Sequence, residues 1–72
     1  MEGNKLYVGN LYLRVTKEQL RDLCSRFGQV QHVDLIEGSG YAYVEMSSHD
    51  EVEQAVKALD GVEFRERVLR VK

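Results

Sequence analysis

Ser39-Gly40-Tyr41-Ala42-Tyr43-Val44-Glu45-Met46 alternates strictly in character, the period-2 pattern of a strand with one face against a core. Gly40, Ala42, Val44 and Met46 form a small or apolar inward set, and Ser39, Tyr41, Tyr43 and Glu45 form the outward set. The outward set is the informative one. It places two aromatic rings at adjacent positions of a face that is otherwise polar, and apolar groups kept together at a surface mark a docking place.

Working backward, Val30 to Glu37 reads as a second strand, with Val33 and Leu35 inward and His32, Asp34 and Ile36 outward. Gly38-Ser39 reads as a two-residue hairpin turn between the two strands. Pairing Glu37 with Gly40 then sets Ile36 opposite Tyr41, Asp34 opposite Tyr43 and His32 opposite Glu45. It also sets Leu35 opposite Ala42 and Val33 opposite Val44. Inward meets inward throughout, so the register is self-consistent, and a four-residue loop preserves it.

Lys5 to Asn10 alternates as well, with Leu6 and Val8 inward and Lys5 and Tyr7 outward, which adds a third surface aromatic. Leu11 to Val15 is a loop whose apolar members are expected to seal one end of the core. Thr16-Lys17-Glu18-Gln19 is a capping box. Leu20, Leu23, Cys24 and Phe27 follow at helical spacing, and Gly28 is expected to end that helix in the left-handed conformation. Ser48-His49-Asp50-Glu51 is a second capping box, ahead of a stripe of Val52, Ala55, Val56 and Leu59 that Asp60-Gly61 stops. After a loop through Phe64, Arg67 to Lys72 reads as one strand, with Leu69 and Val71 inward and Val68, Arg70 and Lys72 outward. The order is β-α-β-β-α-β. This predicts an α+β, ferredoxin-like sandwich: a four-stranded antiparallel sheet with both helices on one face.

Seventy-two residues, 43% of them hydrophobic, suffice for one two-layer domain spanning 1–72. No stretch approaches a membrane span, and the first residues lack signal-peptide character. The lone Cys24 excludes an internal disulfide and a multi-cysteine zinc site; at a helix-stripe position it reads as buried and inert. His32 and His49 share no ligand spacing with it, so neither metal nor cofactor is expected. An intracellular setting is expected, with nucleus and cytoplasm not distinguished. The net charge of −2 means that any polyanion must be met by local charge placement.

Two motifs carry a resemblance. Leu6-Tyr7-Val8-Gly9-Asn10-Leu11 and Ser39 to Met46 resemble the hexamer and octamer of the RNA-recognition motif family. The resemblance covers nearly the whole chain, including an Ala-x-x-x-Leu-Asp-Gly-like end to the second helix. It implies strand order 4-1-3-2, with Tyr7, Tyr41 and Tyr43 adjacent at the centre of the sheet. It further implies that Tyr7 and Tyr43 each stack one base and that Tyr41 packs against sugars. Stacking is sequence-tolerant because every base has a π-face. Single-stranded RNA, or single-stranded DNA, is the implied partner of a monomeric module that binds two to three nucleotides with modest affinity. Lys5, Arg70 and Lys72 would track phosphates, and Asp34 and Glu45 would accept base protons. The sequence departs from the family where the octamer's basic first residue is Ser39 and where the loop between strands 2 and 3 is only Glu37-Gly38-Ser39-Gly40.

Two other classes compete. Cross-strand packing alone can place tyrosines on a sheet face, and His32 and Glu45 can be a simple ion pair. The same fold with near-neutral charge also suits a protein-interaction module. A small acylphosphatase-like hydrolase would need an anion-cradling loop beside Arg14, and Leu11-Tyr12-Leu13 offers no glycine-rich nest. Asn10 reads as a turn residue. No catalysis is expected.

Overall fold

The structure, a computed structural model, describes residues 4–36 and 38–72. Its elements are β1 (Lys5–Gly9), α1 (Lys17–Ser25), β2 (Val30–Ile36), β3 (Tyr41–Met46), α2 (His49–Leu59), β4 (Glu63–Phe64), β5 (Arg67–Val68) and β6 (Arg70–Val71). Four of the strands form one antiparallel sheet in the order β2-β3-β1-β6. This is the expected 4-1-3-2 arrangement of the ferredoxin-like sandwich, with β6 as its fourth strand.

The alternation in β1 and β3 places the core. Leu6, Val8, Ala42, Val44 and Met46 are sealed from water, joined by Leu20 and Cys24 of α1 and by Val52, Ala55 and Leu59 of α2. Each fully buried Leu, Val or Met side chain contributes roughly 1.5–3 kcal/mol, so this one cluster outweighs every surface contact in holding the layers together. Burial pushes the Cys24 thiol up to about 11, in keeping with an unreactive core residue. The loop before α1 seals the core through Leu11 and Val15, whereas Leu13 stands 65% exposed.

The first helix starts as expected. Thr16 Oγ1 accepts from the Gln19 amide at 3.1 Å, and the Thr16 amide donates back to Gln19 Oε1 at 3.1 Å. Its end differs. The helix stops at Ser25, and Gly28 lies beyond it with φ 158°, close to extended rather than left-handed. Gly28 matters for space: a methyl group there would come within 2.6 Å of Glu51 Cβ. At α2, Ser48 Oγ accepts from the Glu51 amide at 3.2 Å. The Glu51 carboxylate also accepts from Ser47 Oγ at 2.6 Å and, across the molecule, from the Gln29 amide at 3.2 Å. The Ser47 hydroxyl above all holds this carboxyl below its ordinary range, opposed by desolvation and aided by weaker bonds from the Gln29, Ser47 and Ser48 amides.

Three other readings are corrected. Ser39 and Gly40 belong to a turn, not to β3. Ser39 Oγ donates to Ile36 O at 2.5 Å and accepts from the Tyr41 amide at 3.3 Å, closing the loop. Gly38 and Gly40 have φ of 78° and 83°, which glycine adopts cheaply. Paired residues Ile36 and Tyr41 flank four residues, and the expected Glu37–Gly40 pair lies outside the described residues. The strand expected over 67–72 is divided. Arg67–Val68 pairs with Glu63–Phe64, Leu69 bonds Val62 and Gly61, and only from Arg70 onward does the chain pair with β1. A clip at Asn10 holds the divided segment: its Nδ2 donates to Val68 O at 2.7 Å, while Arg67 donates to Asn10 O and Oδ1. Asn10, with φ 59°, is a turn residue as read.

Candidate nucleic-acid interface

Both helices pack on one face of the sheet, and among the described residues no element covers the other face. The registers arrange this open face into rows that run across all the strands. Tyr7 pairs with Tyr43, and Asp34 pairs with Tyr43 from the other side. Tyr7 and Lys72 exchange backbone hydrogen bonds of 2.8 and 3.0 Å, so Lys72 stands directly opposite Tyr7. Directly opposite residues share a face. The central row therefore reads Lys72, Tyr7, Tyr43, Asp34: a cation, two aromatics and an anion. On one side of it lie Lys5, Glu45 and His32, also linked by register. On the other lie Arg70 opposite Gly9, and Tyr41 opposite Ile36.

Tyr7, Tyr41 and Tyr43 form one aromatic cluster, with ring centroids 5.8, 5.8 and 6.0 Å apart. These separations lie in the range of favourable ring pairs. The rings are not coplanar. Tyr7 and Tyr43 meet at 61°, and Tyr41 and Tyr43 at 87°. Each ring therefore offers its own plane, not one continuous table. Tyr43 is the most open of the three, at 41% exposure. An open groove of about 490 Å3 runs beside the row, lined by Lys5, Leu6, Tyr7, Asp34, Tyr43 and Lys72.

Every residue expected at the site lies on this face. Lys5, Arg70 and Lys72 occupy the β1–β6 side and are exposed; Asp34 is exposed on the edge strand β2; Glu45 sits half-buried between Lys5 and His32. Ser39, at the octamer's first position, uses its hydroxyl inside the β2–β3 loop.

One contributor was not read from the sequence. Gly9 lies two residues after Tyr7 on the same face, and the phenol of Tyr7 lies over it. A methyl group on Gly9 would fall within 2.7 Å of Tyr7 Cζ and 2.8 Å of Cε2. Gly9 is thus what lets the Tyr7 ring lean along the strand. The signal was available: glycine at i+2 from an outward aromatic on a strand marks a close approach. Among the described residues, no group of three or more His, Cys, Asp or Glu side chains could hold a metal ion.

A family model of the RNA recognition motif matches residues 6–70. The chain belongs to the RNA recognition motif family. It is 40% identical over 73 residues to the probable splicing factor, arginine/serine-rich 3, of Caenorhabditis elegans, across 99% of this chain and 28% of that protein. It is 39% identical over 72 residues to the putative RNA-binding protein RbpE of Nostoc sp., across 92% of this chain and 73% of that protein. The solved structure of the RNA15 RRM matches with a TM-score of 0.90 at 28% identity, over 96% of this chain and 86% of that one. The chain thus spans less than a third of the worm protein's length.

Proposed function

We propose that this RNA recognition motif domain binds single-stranded RNA on its open sheet face, without catalysis, as an intracellular module. One base stacks on Tyr7 and one on Tyr43, and Tyr41 packs against the sugars between them. Lys5, Arg70 and Lys72 meet phosphates, and Asp34 and Glu45 accept protons from base edges. The footprint is two to three nucleotides, and single-stranded DNA is the weaker alternative ligand. The observation that carries this reading is the central row, with its two aromatics and its cation on a strand pair that no helix covers.

Magnitudes fix what to expect. Two stacks contribute roughly 2–6 kcal/mol, short of the ~8 kcal/mol of a micromolar complex. Three cations then give a shallow log–log salt slope of about −2. The test titrates labelled short RNA pools with wild type and with the double variant Tyr7→Ala/Tyr43→Ala across a salt series. The double variant is expected to bind at least about thirtyfold more weakly. Equal binding by both proteins would remove the stacking model.

A protein-interaction role is the second reading. Its specific support is the exposed Leu13, which lines a hollow of about 370 Å3 with Tyr12, Arg14, Leu35 and Ile36 beside the β2–β3 turn. If millimolar RNA leaves the resonances of all three sheet tyrosines unmoved, this second reading alone survives.

A further inference from the structure

An acid at the heart of a surface that meets a polyanion needs a reason, because it repels every phosphate that approaches. The open face carries two such acids, and their surroundings differ. Glu45 stands between Lys5 on β1 and Lys-free β2, where His32 faces it, so a cation and an imidazole flank its charge. Asp34 stands beside Tyr43 on β2, the outermost strand on that side. It is exposed and lines the groove. Among the described residues, no hydrogen bond or ion pair that would neutralise it engages Asp34.

We propose that Asp34 makes this site selective for guanine at the position stacked on Tyr43, an inference that rests on the RNA-binding reading above. The row sets the polarity. Lys72 lies at one end and Asp34 at the other, separated by the two tyrosines. With strands roughly 4.8 Å apart, three spacings separate these ends, about 14 Å. Phosphate is drawn to the Lys72 end and repelled from the Asp34 end. A base lying on Tyr43 therefore turns its sugar–phosphate side toward the lysines and its free edge toward Asp34.

Hydrogen-bond chemistry then selects the base. An ionised carboxylate only accepts, and it can accept two parallel N–H donors. Guanine presents two adjacent donors, N1–H and the 2-amino group, on its Watson–Crick edge. Cytosine offers its 4-amino group beside the N3 acceptor. Adenine likewise sets its 6-amino group beside an acceptor nitrogen. Uracil has a single N3–H between two carbonyl oxygens, both turned toward the carboxylate. The order of preference at Tyr43 is guanine first, cytosine and adenine next, uracil last.

Five-nucleotide RNAs, all uracil except for a central guanine, inosine, adenine or cytosine, test this by fluorescence anisotropy against all-uracil RNA. The guanine RNA is expected to bind roughly ten- to a hundredfold tighter than all-uracil RNA. Inosine keeps N1–H and lacks the 2-amino group, so it should fall between them. Asp34→Asn should compress the guanine-to-uracil ratio to about threefold or less, since the amide offers only one acceptor oxygen there. Tyr43→Ala is run in parallel. If Asp34→Asn keeps the full guanine preference, or inosine binds as well as guanine, the role of Asp34 is overturned while Tyr43 dependence still upholds stacking. Binding that ignores both Asp34 and Tyr43 overturns the two together.

Discussion

Ala42, Val44 and Met46 on β3 touch no water, while Tyr41, Tyr43 and Glu45, interleaved with them, look out from the opposite side of the same six-residue strand. The backbone and its hydrogen-bond ladders are common to both sets. What differs is what holds the side chains. The inward residues are fixed by two helices and the neighbouring strands. The outward tyrosines are fixed by one another, at centroid separations of about 6 Å, and by the space Gly9 leaves. A substitution on the inner side should therefore register as stability, and one on the outer side as binding.

The severest way to break that division is Val44→Asp. Val44 is fully buried in the middle of the central strand. An unpaired carboxylate there costs several kcal/mol, a large part of the roughly 5–15 kcal/mol that holds a domain folded. Circular dichroism should show a chain largely unfolded at 25 °C. A cooperative unfolding transition near that of wild type would mean that the inner side of β3 is not the keystone of the core. Tyr43→Ala, two atoms' breadth of backbone away, should keep the fold and lose RNA.

The two sides were not equally legible before the coordinates. Alternation alone places Leu6, Val8, Ala42 and Val44 inward, because burial follows period 2 once a strand is granted. The β2–β3 register follows for the same reason: five of the six described pairs fall where the pattern sets them, and the sixth, Val30–Met46, is displaced by a bulge between Val30 and His32. The cross-sheet row containing Lys72 was not legible from that pattern. It depends on where β6 meets β1, beyond a division of the strand that is held by the Asn10–Arg67 clip, a long-range side-chain contact with no local signature. The brace from Glu51 to Gln29 escaped for the same reason. Capping chemistry accounts for the bond between Ser48 and the Glu51 amide, but the capping-box reading turns the Glu51 carboxylate back toward the Ser48 amide, and nothing in the four residues points it to Ser47 Oγ and Gln29.

Gly9→Ala sharpens the comparison, because Gly9 carries no side chain of its own and acts only through Tyr7. The added methyl displaces the Tyr7 ring from its place along the strand. RNA affinity should fall about five- to twentyfold, part of one stack. The fold should survive, because the methyl points to the open face and the ring has room to swing outward. Isothermal titration with a short RNA, paired with thermal melts, separates the two effects. Unchanged affinity would show that the ring's posture is irrelevant to binding.

The smallest effect lies off both sides, in the β4–β5 hairpin. Phe64 pairs with Arg67, so the connection is the two-residue Arg65-Glu66. Both residues have positive φ, 54° and 68°, the geometry of a type I′ turn, which favours Asn-Gly. Holding a side chain in this left-handed region costs roughly 1 kcal/mol or more per residue. Glu66→Gly removes the Cβ while leaving the Arg65 guanidinium near the Phe64 ring, 6.0 Å from its centroid. The expected gain is about 1 kcal/mol, which raises the melting midpoint of a domain this size by about 4–8 °C. Because this hairpin is a separate two-stranded sheet, the gain should come without any change in base preference at Tyr43. A midpoint that stays put or falls would mean that Glu66 makes a compensating contact which glycine forfeits.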